Sequence, residues 1–232
     1  MFRQFFDAVS STYTYFLADD RSREACLIDP VLGGLPEYVR WIEACEARLV
    51  YALDTHTHAD HITGTGRLRE LTDCSTAIGI QSPAECFTRK FREGEAITVG
   101  HLSLRVIYTP GHTDDSYSFI LPDRVFTGDT LLIGGTGRTD FQNGDAHQAY
   151  DSLFNKLLRL PDEMAVYPAH DYHGATVSTI GEEKRCNPRL QVRSADEYAA
   201  LMASLKLPSP TLMDVAIPAN QACGRIPSPD SI

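Results

Sequence analysis

Apolar and polar residues alternate in short runs along the first half of the chain, and these runs switch between strand and helix periods. The segments "TYTYFL" (12–17) and "LVYALDTH" (49–56) are typical of buried strands. By contrast, "LPEYVRWIEACEA" (35–47) has the apolar spacing of a helix that buries one face. This succession predicts an α/β fold. Further strands are predicted at 24–30, 76–80, 116–121 and 125–129, a hairpin around Gly100 within 96–112, and a helix at 64–72.

The second half of the chain contains fewer strand-like runs. "DAHQAYDSLFNKLLRLP" (145–161) predicts an amphipathic helix that ends at a proline, "MAVYPAH" (164–170) predicts a strand, and "ADEYAALMASL" (195–205) predicts a late helix. The proline-rich ending is typical of an irregular segment that wraps the domain. We therefore expect one domain over residues 1–232, with a short C-terminal extension from about 206 to 232.

Composition and charge narrow the possible partners. The 232 residues are 43% hydrophobic, which is enough for a sizeable core. A formal net charge of −10 argues against an electrostatic grip on nucleic acid or on an anionic membrane. No apolar run approaches the roughly 20 residues of a membrane helix, and Asp7 interrupts the apolar opening, which argues against a signal peptide. We expect a soluble protein that binds neither nucleic acid nor membrane.

The six cysteines bear on the cellular compartment. They include no C-x-x-C pair and lie mostly in apolar or helical stretches. Neither Cys86 nor Cys223 shows the sequence context of an activated thiol. This usage predicts reduced, packed cysteines in a cytoplasmic protein.

Histidine and aspartate cluster where four predicted strands end. "DTHTHADHITG" (54–64) follows one strand, and "TPGH", "FTGD" and "YPAH" end three others. Because the ends of adjacent strands converge on one edge of a sheet, ligands far apart in sequence can meet there. Gly111 and Gly128 suit a close approach of backbone to such a cluster. The candidate ligands are His56, His58, Asp60, His61, His112, Asp129 and His170.

On the residues alone, two interpretations of this set are open. A lone histidine is more often a polar loop residue than a ligand. Imidazole nitrogen and carboxylate oxygen, however, suit zinc, iron and manganese, and seven ligands could hold two metal ions. The repetition of the pattern after four strands favours a metal site.

The motifs "THTHADH", "TPGHT", "FTGD" and "YPAHDY" resemble the signature of the metallo-β-lactamase superfamily. The resemblance implies an αββα sandwich, in which two mixed β-sheets are flanked by helices. It leaves the reaction open, because the fold serves hydrolases, nucleases, oxygen reductases and a dioxygenase. The acidic charge disfavours the nuclease branch. His58 stands where flavodiiron proteins normally carry glutamate, which disfavours that branch as well.

Two branches that act on glutathione conjugates remain. The seven ligands match the binuclear centre of glyoxalase II enzymes. The long segments 128–153, 167–190 and 207–224, however, closely resemble the persulfide dioxygenases, also called sulfur dioxygenases. The ligand count and these flanking motifs point to different branches, and the more specific motifs favour the dioxygenase.

Resemblance to the persulfide dioxygenases implies one iron(II) per chain, held by His56, His112 and Asp129. Such a two-histidine, one-carboxylate triad leaves three coordination positions for substrate sulfur and dioxygen. Around it, the resemblance implies residues that orient the ligands and line the pocket. Nothing in the residues forbids a second metal ion at those surrounding positions. They are His58, Asp60, His61 and His170.

The resemblance also implies a substrate and a reaction. Tyr172 and Arg189 match positions that resemble the family's glutathione contacts, and a guanidinium suits a carboxylate. The predicted enzyme oxidises glutathione persulfide with oxygen and water to sulfite and glutathione, a reaction of sulfur metabolism and sulfide detoxification. We expect it in the cytoplasm, as a homodimer. The alternatives are a binuclear zinc hydroxyacylglutathione hydrolase and a non-catalytic protein that binds metal or persulfide.

Overall fold

The computed structural model describes residues 1–208 and 212–226, which fall into two compact units. Unit 1 comprises Met1–Phe91, Ile97–Ser103 and the described residues from Pro208 onward. Unit 2 comprises Arg92–Ala96 and Leu104–Leu207. The single domain with an extension from about 206 to 232 stays a prediction, and residues 209–211 and 227–232 lie outside the described part of the chain.

The elements follow one another in a mixed α/β order. The strands are β1 (Phe2–Asp7), β2 (Thr12–Ala18), β3 (Glu24–Ile28), β4 (Arg48–Leu53), β5 (Ser75–Gly79), β6 (Arg89–Phe91), β7 (Ala96–Val99), β8 (Leu102–Tyr108), β9 (Tyr117–Ile120), β10 (Arg124–Gly128), β11 (Leu131–Leu132), β12 (Gly135–Thr136), β13 (Ala165–Pro168) and β14 (Ser178–Thr179). The helices are α1 (Leu35–Ala44), α2 (Thr65–Thr72), α3 (Ala146–Asp151), α4 (Ile180–Cys186), α5 (Ala195–Ser204) and α6 (Met213–Gln221).

Unit 1 is built on a six-stranded mixed sheet in the order β1-β2-β3-β4-β5-β6. Strands β1 to β3 pair antiparallel, whereas β3 to β6 pair parallel. Every residue of β2 is buried, as expected of an apolar strand between two neighbours. Helix α1 begins with Pro36 in its first turn and buries Tyr38 and Ile42 in a core that includes Phe16 and Leu27. The parallel pairing brings the ends of β3 and β4 to the same edge.

Unit 2 contains a second mixed sheet, in which β14, β13, β10, β9 and β8 are neighbours in that order. Strand β10 pairs parallel with β13 and antiparallel with β9, and β9 pairs antiparallel with β8. The carboxyl ends of β8, β10 and β13 therefore lie at one edge. Its core contains Val125, Leu153, Val166, Ile180 and Tyr198. Together the two mixed sheets and their helices confirm the predicted fold class.

Most predicted elements are present, with differences in two places. The helix predicted over 145–161 begins as α3 and is capped by Asp145, whose carboxylate accepts hydrogen bonds from two backbone N–H groups. After α3 the helix widens into a π-turn (Ser152–Lys156) and then tightens into a 3-10 turn (Leu157–Arg159). The ending predicted as irregular contains α6, which includes Pro218. In residues 1–208 and 212–226, no helix has the length and apolar character to cross a bilayer.

One prediction about the cysteines is wrong. Cys86 and Cys223 form a disulfide that joins residues 137 positions apart within unit 1. The remaining four cysteines are free thiols, of which Cys26 and Cys74 are buried as predicted, whereas Cys186 is exposed. Cysteine spacing alone could not reveal this disulfide, because the bond forms only when the segment that contains Cys223 packs beside Cys86.

Candidate metal centre

The loop after β4 carries four of the predicted site residues. His56, His58 and His61 are buried, and Asp60 is partly exposed. Because β3 and β4 are parallel neighbours, Asp29, directly after β3, lies against this loop. Its carboxylate accepts hydrogen bonds from the backbone N–H and the hydroxyl of Thr55, at 2.7 and 2.9 Å. The loop is thus held by a buried carboxylate that sequence reasoning did not single out.

His58 is oriented by that same carboxylate. Its Nε2 lies 3.1 Å from Oδ1 of Asp29. Burial by itself would lower the pKa of His58, but the carboxylates of Asp29, Asp54 and Asp60 oppose this effect and raise it to about 9. The second nitrogen, Nδ1, is buried and has no hydrogen-bond partner in the described residues. An unsatisfied polar atom is costly inside a protein, and a metal ion bound to the neutral imidazole would satisfy Nδ1.

Asp60 and His61 are coupled to each other and to β2. Nδ1 of His61 lies 3.0 Å from Oδ2 of Asp60, and the hydroxyl of buried Thr12 lies 3.3 Å from each of these two atoms. Ser10 extends this contact, with its hydroxyl 2.6 Å from that of Thr12. In His58, Asp60 and His61, one potential ligand atom of each lies within 4.8 Å of the other two. The loop therefore has the donor set of a cation site.

His56 contacts a hydroxyl, whereas His58 and His61 each contact a carboxylate. Its Nδ1 lies 3.0 Å from the hydroxyl of Thr55, the residue that Asp29 holds. The ring of His56 is 4.1 Å from that of His58, centroid to centroid. This contact occupies Nδ1 and makes Nε2 the nitrogen suited to a metal ion.

Unit 2 brings together the predicted site residues that follow β8, β10 and β13. Nδ1 of His170 lies 2.6 Å from Oδ1 of Asp129, so the histidine orients the carboxylate. The other oxygen, Oδ2, lies 3.6 Å from Nε2 of His112. A carboxylate oxygen and an imidazole nitrogen thus face the same space, an arrangement that fits a shared metal ion.

His112 owes its orientation to the backbone. Its Nδ1 lies 2.8 Å from the carbonyl oxygen of Arg138 and donates to it, so Nε2 is the nitrogen that faces Asp129. The adjacent Gly137 leaves room for His112, because a Cβ there would lie 3.0 Å from the Cβ of His112 and 2.0 Å from the carbonyl oxygen of Asp129. The Arg138 side chain pairs with Asp140, with contacts of 2.6 and 2.8 Å. The Asp140 carboxylate of this pair is exposed.

The two predicted glutathione contacts both lie in unit 2. Tyr172 is exposed, and its ring stacks on that of His170 at a centroid distance of 6.0 Å. The guanidinium of Arg189 donates to the carbonyl oxygen of Thr136 in β12. Burial lowers the pKa of Arg189, an effect that Tyr198 partly opposes. The group remains a cation at neutral pH, as arginine does in proteins.

One further residue near the loop was missed by the sequence analysis. The amide of Asn220, in α6, donates to the carbonyl oxygens of His58 and His61 and accepts from the backbone N–H of Thr63. The only sequence signal was its place in the motif "IPANQACG".

Comparisons with known proteins agree on the family. The description "Metallo-beta-lactamase superfamily" fits residues 8–170. The human protein "Persulfide dioxygenase ETHE1, mitochondrial" is 47% identical over 97% of this chain and 89% of its own length, and the Bos taurus protein of the same name is 46% identical over the same shares. The crystal structure of ETHE1 from Myxococcus xanthus is 51% identical and superposes with a TM-score of 0.95, covering 97% of this chain and all of that one. A metallo-beta-lactamase from Staphylococcus aureus, 26% identical, covers 99% of this chain and 74% of its own at a TM-score of 0.90.

Proposed function

The chain belongs to the metallo-beta-lactamase superfamily, and from this premise we propose that it is a persulfide dioxygenase that acts on glutathione persulfide. The observation that carries the proposal is the likeness to named persulfide dioxygenases along nearly the whole chain. In the overall reaction, glutathione persulfide (GSSH), O2 and H2O give glutathione (GSH), sulfite and two protons. The sulfur–sulfur bond breaks, and the outer sulfur is oxidised while dioxygen is reduced.

Iron is the proposed cofactor, one per chain. The ligands in this proposal are two histidines and an aspartate, as the motif resemblance implies. Imidazole nitrogens and a carboxylate oxygen suit iron. In each of these three side chains, the second nitrogen or oxygen already has a hydrogen-bond partner. When bound, iron would supply the redox chemistry that activates dioxygen toward a sulfur nucleophile. The three ligands are His56, His112 and Asp129.

The protein groups around these ligands fix their orientation. The carbonyl of Arg138 holds the ring of His112, and His170 holds the carboxylate of Asp129. Asp29 holds His58 and the Thr55 hydroxyl that contacts His56. Such partners typically contribute 10- to 100-fold to metal affinity or activity. We assign this positioning role to His58, Asp60, His61 and His170.

Glutathione is proposed to bind through Tyr172 and Arg189. Support for Arg189 comes from its chemistry, since a half-buried guanidinium suits one of the two glutathione carboxylates. Tyr172 offers an exposed phenol stacked on His170. Anchoring the remote part of the substrate is valuable here, because a persulfide offers only two sulfur atoms at the reacting end.

A binuclear zinc hydrolase is the second candidate, and one observation favours it. His58, Asp60 and His61 offer ligand atoms close enough together for a second ion. An oxygen electrode separates the two functions. The dioxygenase should consume oxygen and form sulfite with glutathione persulfide while hydrolysing S-lactoylglutathione poorly, and metal analysis should find iron. The opposite preference, with two zinc ions per chain, would refute the dioxygenase, and absence of any turnover would favour a binding protein.

The cytoplasmic location and the homodimer are also carried forward as proposals. The four free cysteines are consistent with a reducing compartment, whereas the Cys86–Cys223 disulfide is not typical of one. Cell fractionation tests the location, and sedimentation equilibrium tests the homodimer.

A further inference from the structure

Asn220, in α6, forms hydrogen bonds with the loop of the metal-binding motif, and its side chain is buried. Its amide nitrogen donates to the carbonyl oxygens of His58 and His61, at 2.9 and 2.8 Å. Its amide oxygen accepts from the backbone N–H of Thr63, at 2.8 Å. Two acceptors and one donor allow only one orientation of the amide. The three bonds join residues that lie 157 to 162 positions apart in the sequence.

Close backbone packing holds the end of α6 in this place. A Cβ on Gly66, in α2, would lie 2.3 Å from the carbonyl oxygen of Cys223. A Cβ on Gly224 would lie 2.1 Å from the carbonyl oxygen of Thr63. The disulfide then ties Cys223, three residues after Asn220, to Cys86. The position of the amide is thus determined by several independent contacts within unit 1.

We infer that Asn220 is a positioning residue for the proposed reaction. It fixes the loop that presents His58 and His61 to the metal centre. The carbonyls it binds belong to the two histidines themselves, so their backbones cannot rotate without breaking a buried hydrogen bond. The imidazole of His58 is fixed at its other end by Asp29. Asn220 and Asp29 therefore hold the same residue by its main chain and its side chain. This inference rests on the proposed dioxygenase function.

Two variants separate hydrogen bonding from packing. Asn220→Ala removes all three bonds, whereas Asn220→Asp keeps nearly the same shape and the acceptor oxygen but loses both donors. Neither variant touches a proposed iron ligand, so each should retain about one iron per chain. We expect kcat per bound iron to fall by about 10- to 100-fold in both variants. KM for glutathione persulfide should change by less than about 3-fold, because the proposed glutathione contacts lie elsewhere.

The matched control is Asn155→Ala, since Asn155 is an exposed asparagine whose amide donates to the carboxylate of Asp151. It should behave as the unaltered protein. Hydrogen exchange of residues 56–63 should become faster in both Asn220 variants and stay unchanged in the control.

The outcomes distinguish the inference from the function it rests on. If the unaltered protein consumes no oxygen, the proposed function fails, while hydrogen exchange of the loop still decides whether Asn220 holds it. If a folded Asn220→Asp protein keeps full kcat per iron, or if KM rises while kcat stays the same, the positioning role is wrong. Should Asn220→Ala not fold, the near-isosteric Asn220→Asp decides alone.

Discussion

Replacing Arg189 by alanine tests where the substrate is held. Its guanidinium is half-buried, donates to the carbonyl of Thr136, and is paired with no carboxylate in the described part of the chain. A charge-assisted bond from such a group to a glutathione carboxylate contributes about 1.5 to 3 kcal/mol. At 1.4 kcal/mol per factor of ten, the loss corresponds to roughly 10- to 150-fold in affinity.

The assay is oxygen uptake over a range of glutathione persulfide concentrations. We expect Arg189→Ala to raise KM by that factor and to change kcat much less, because the bond forms equally in the ground state and the transition state. Iron content should not change. Arg189→Lys should recover only part of the loss, since an ammonium cannot form the bidentate pair of a guanidinium. The control is Arg193→Ala, which removes an exposed guanidinium four residues further along the chain.

A structural role for Arg189 makes a different prediction. The backbone of Thr136 is buried, and loss of the guanidinium leaves its carbonyl without that donor, which costs about 1 to 3 kcal/mol of folding free energy. If the variant melts at a lower temperature while KM is unchanged, Arg189 supports β12 and the proposed glutathione contact is wrong. A rise in KM that also appears in Arg193→Ala would point to a general effect of charge.

Three further predictions concern the metal, its surroundings and the disulfide. His170→Ala should keep iron but lower kcat by about 10- to 100-fold, because the carboxylate of Asp129 loses its 2.6 Å partner; full activity in this variant would contradict the orienting role. Cys86→Ser should lower the free energy of unfolding by about 2 to 5 kcal/mol, measured by urea denaturation, and a reducing agent should have the same effect on the unaltered protein but none on the variant. Alanine at any one proposed iron ligand should abolish iron retention in protein purified without added metal, whereas two zinc ions per chain in active protein would contradict the iron assignment. These ligands are His56, His112 and Asp129.

The sequence by itself determined the local elements and the places where ligands stand. β2, β4 and α1 form where the pattern of apolar residues predicts them. The ligand motifs follow strands because the chain must leave a sheet at its edge, where polar side chains are tolerated. The fold class followed from these local signals and the motif resemblance together.

Only the tertiary structure decided which groups hold those ligands in place. The carbonyl of Arg138 beside His112, the carboxylate of Asp29 beside His58 and the amide of Asn220 under the loop are contacts between segments 26 to 162 residues apart. The Cys86–Cys223 bond is another contact between distant segments. Helix α6, which contains Pro218, forms where the sequence predicted an irregular segment. Hydrophobic periodicity reports only the neighbours within a turn or a strand. A hydrogen bond or disulfide across such distances leaves no local pattern, because it depends on where the packed core brings the two segments.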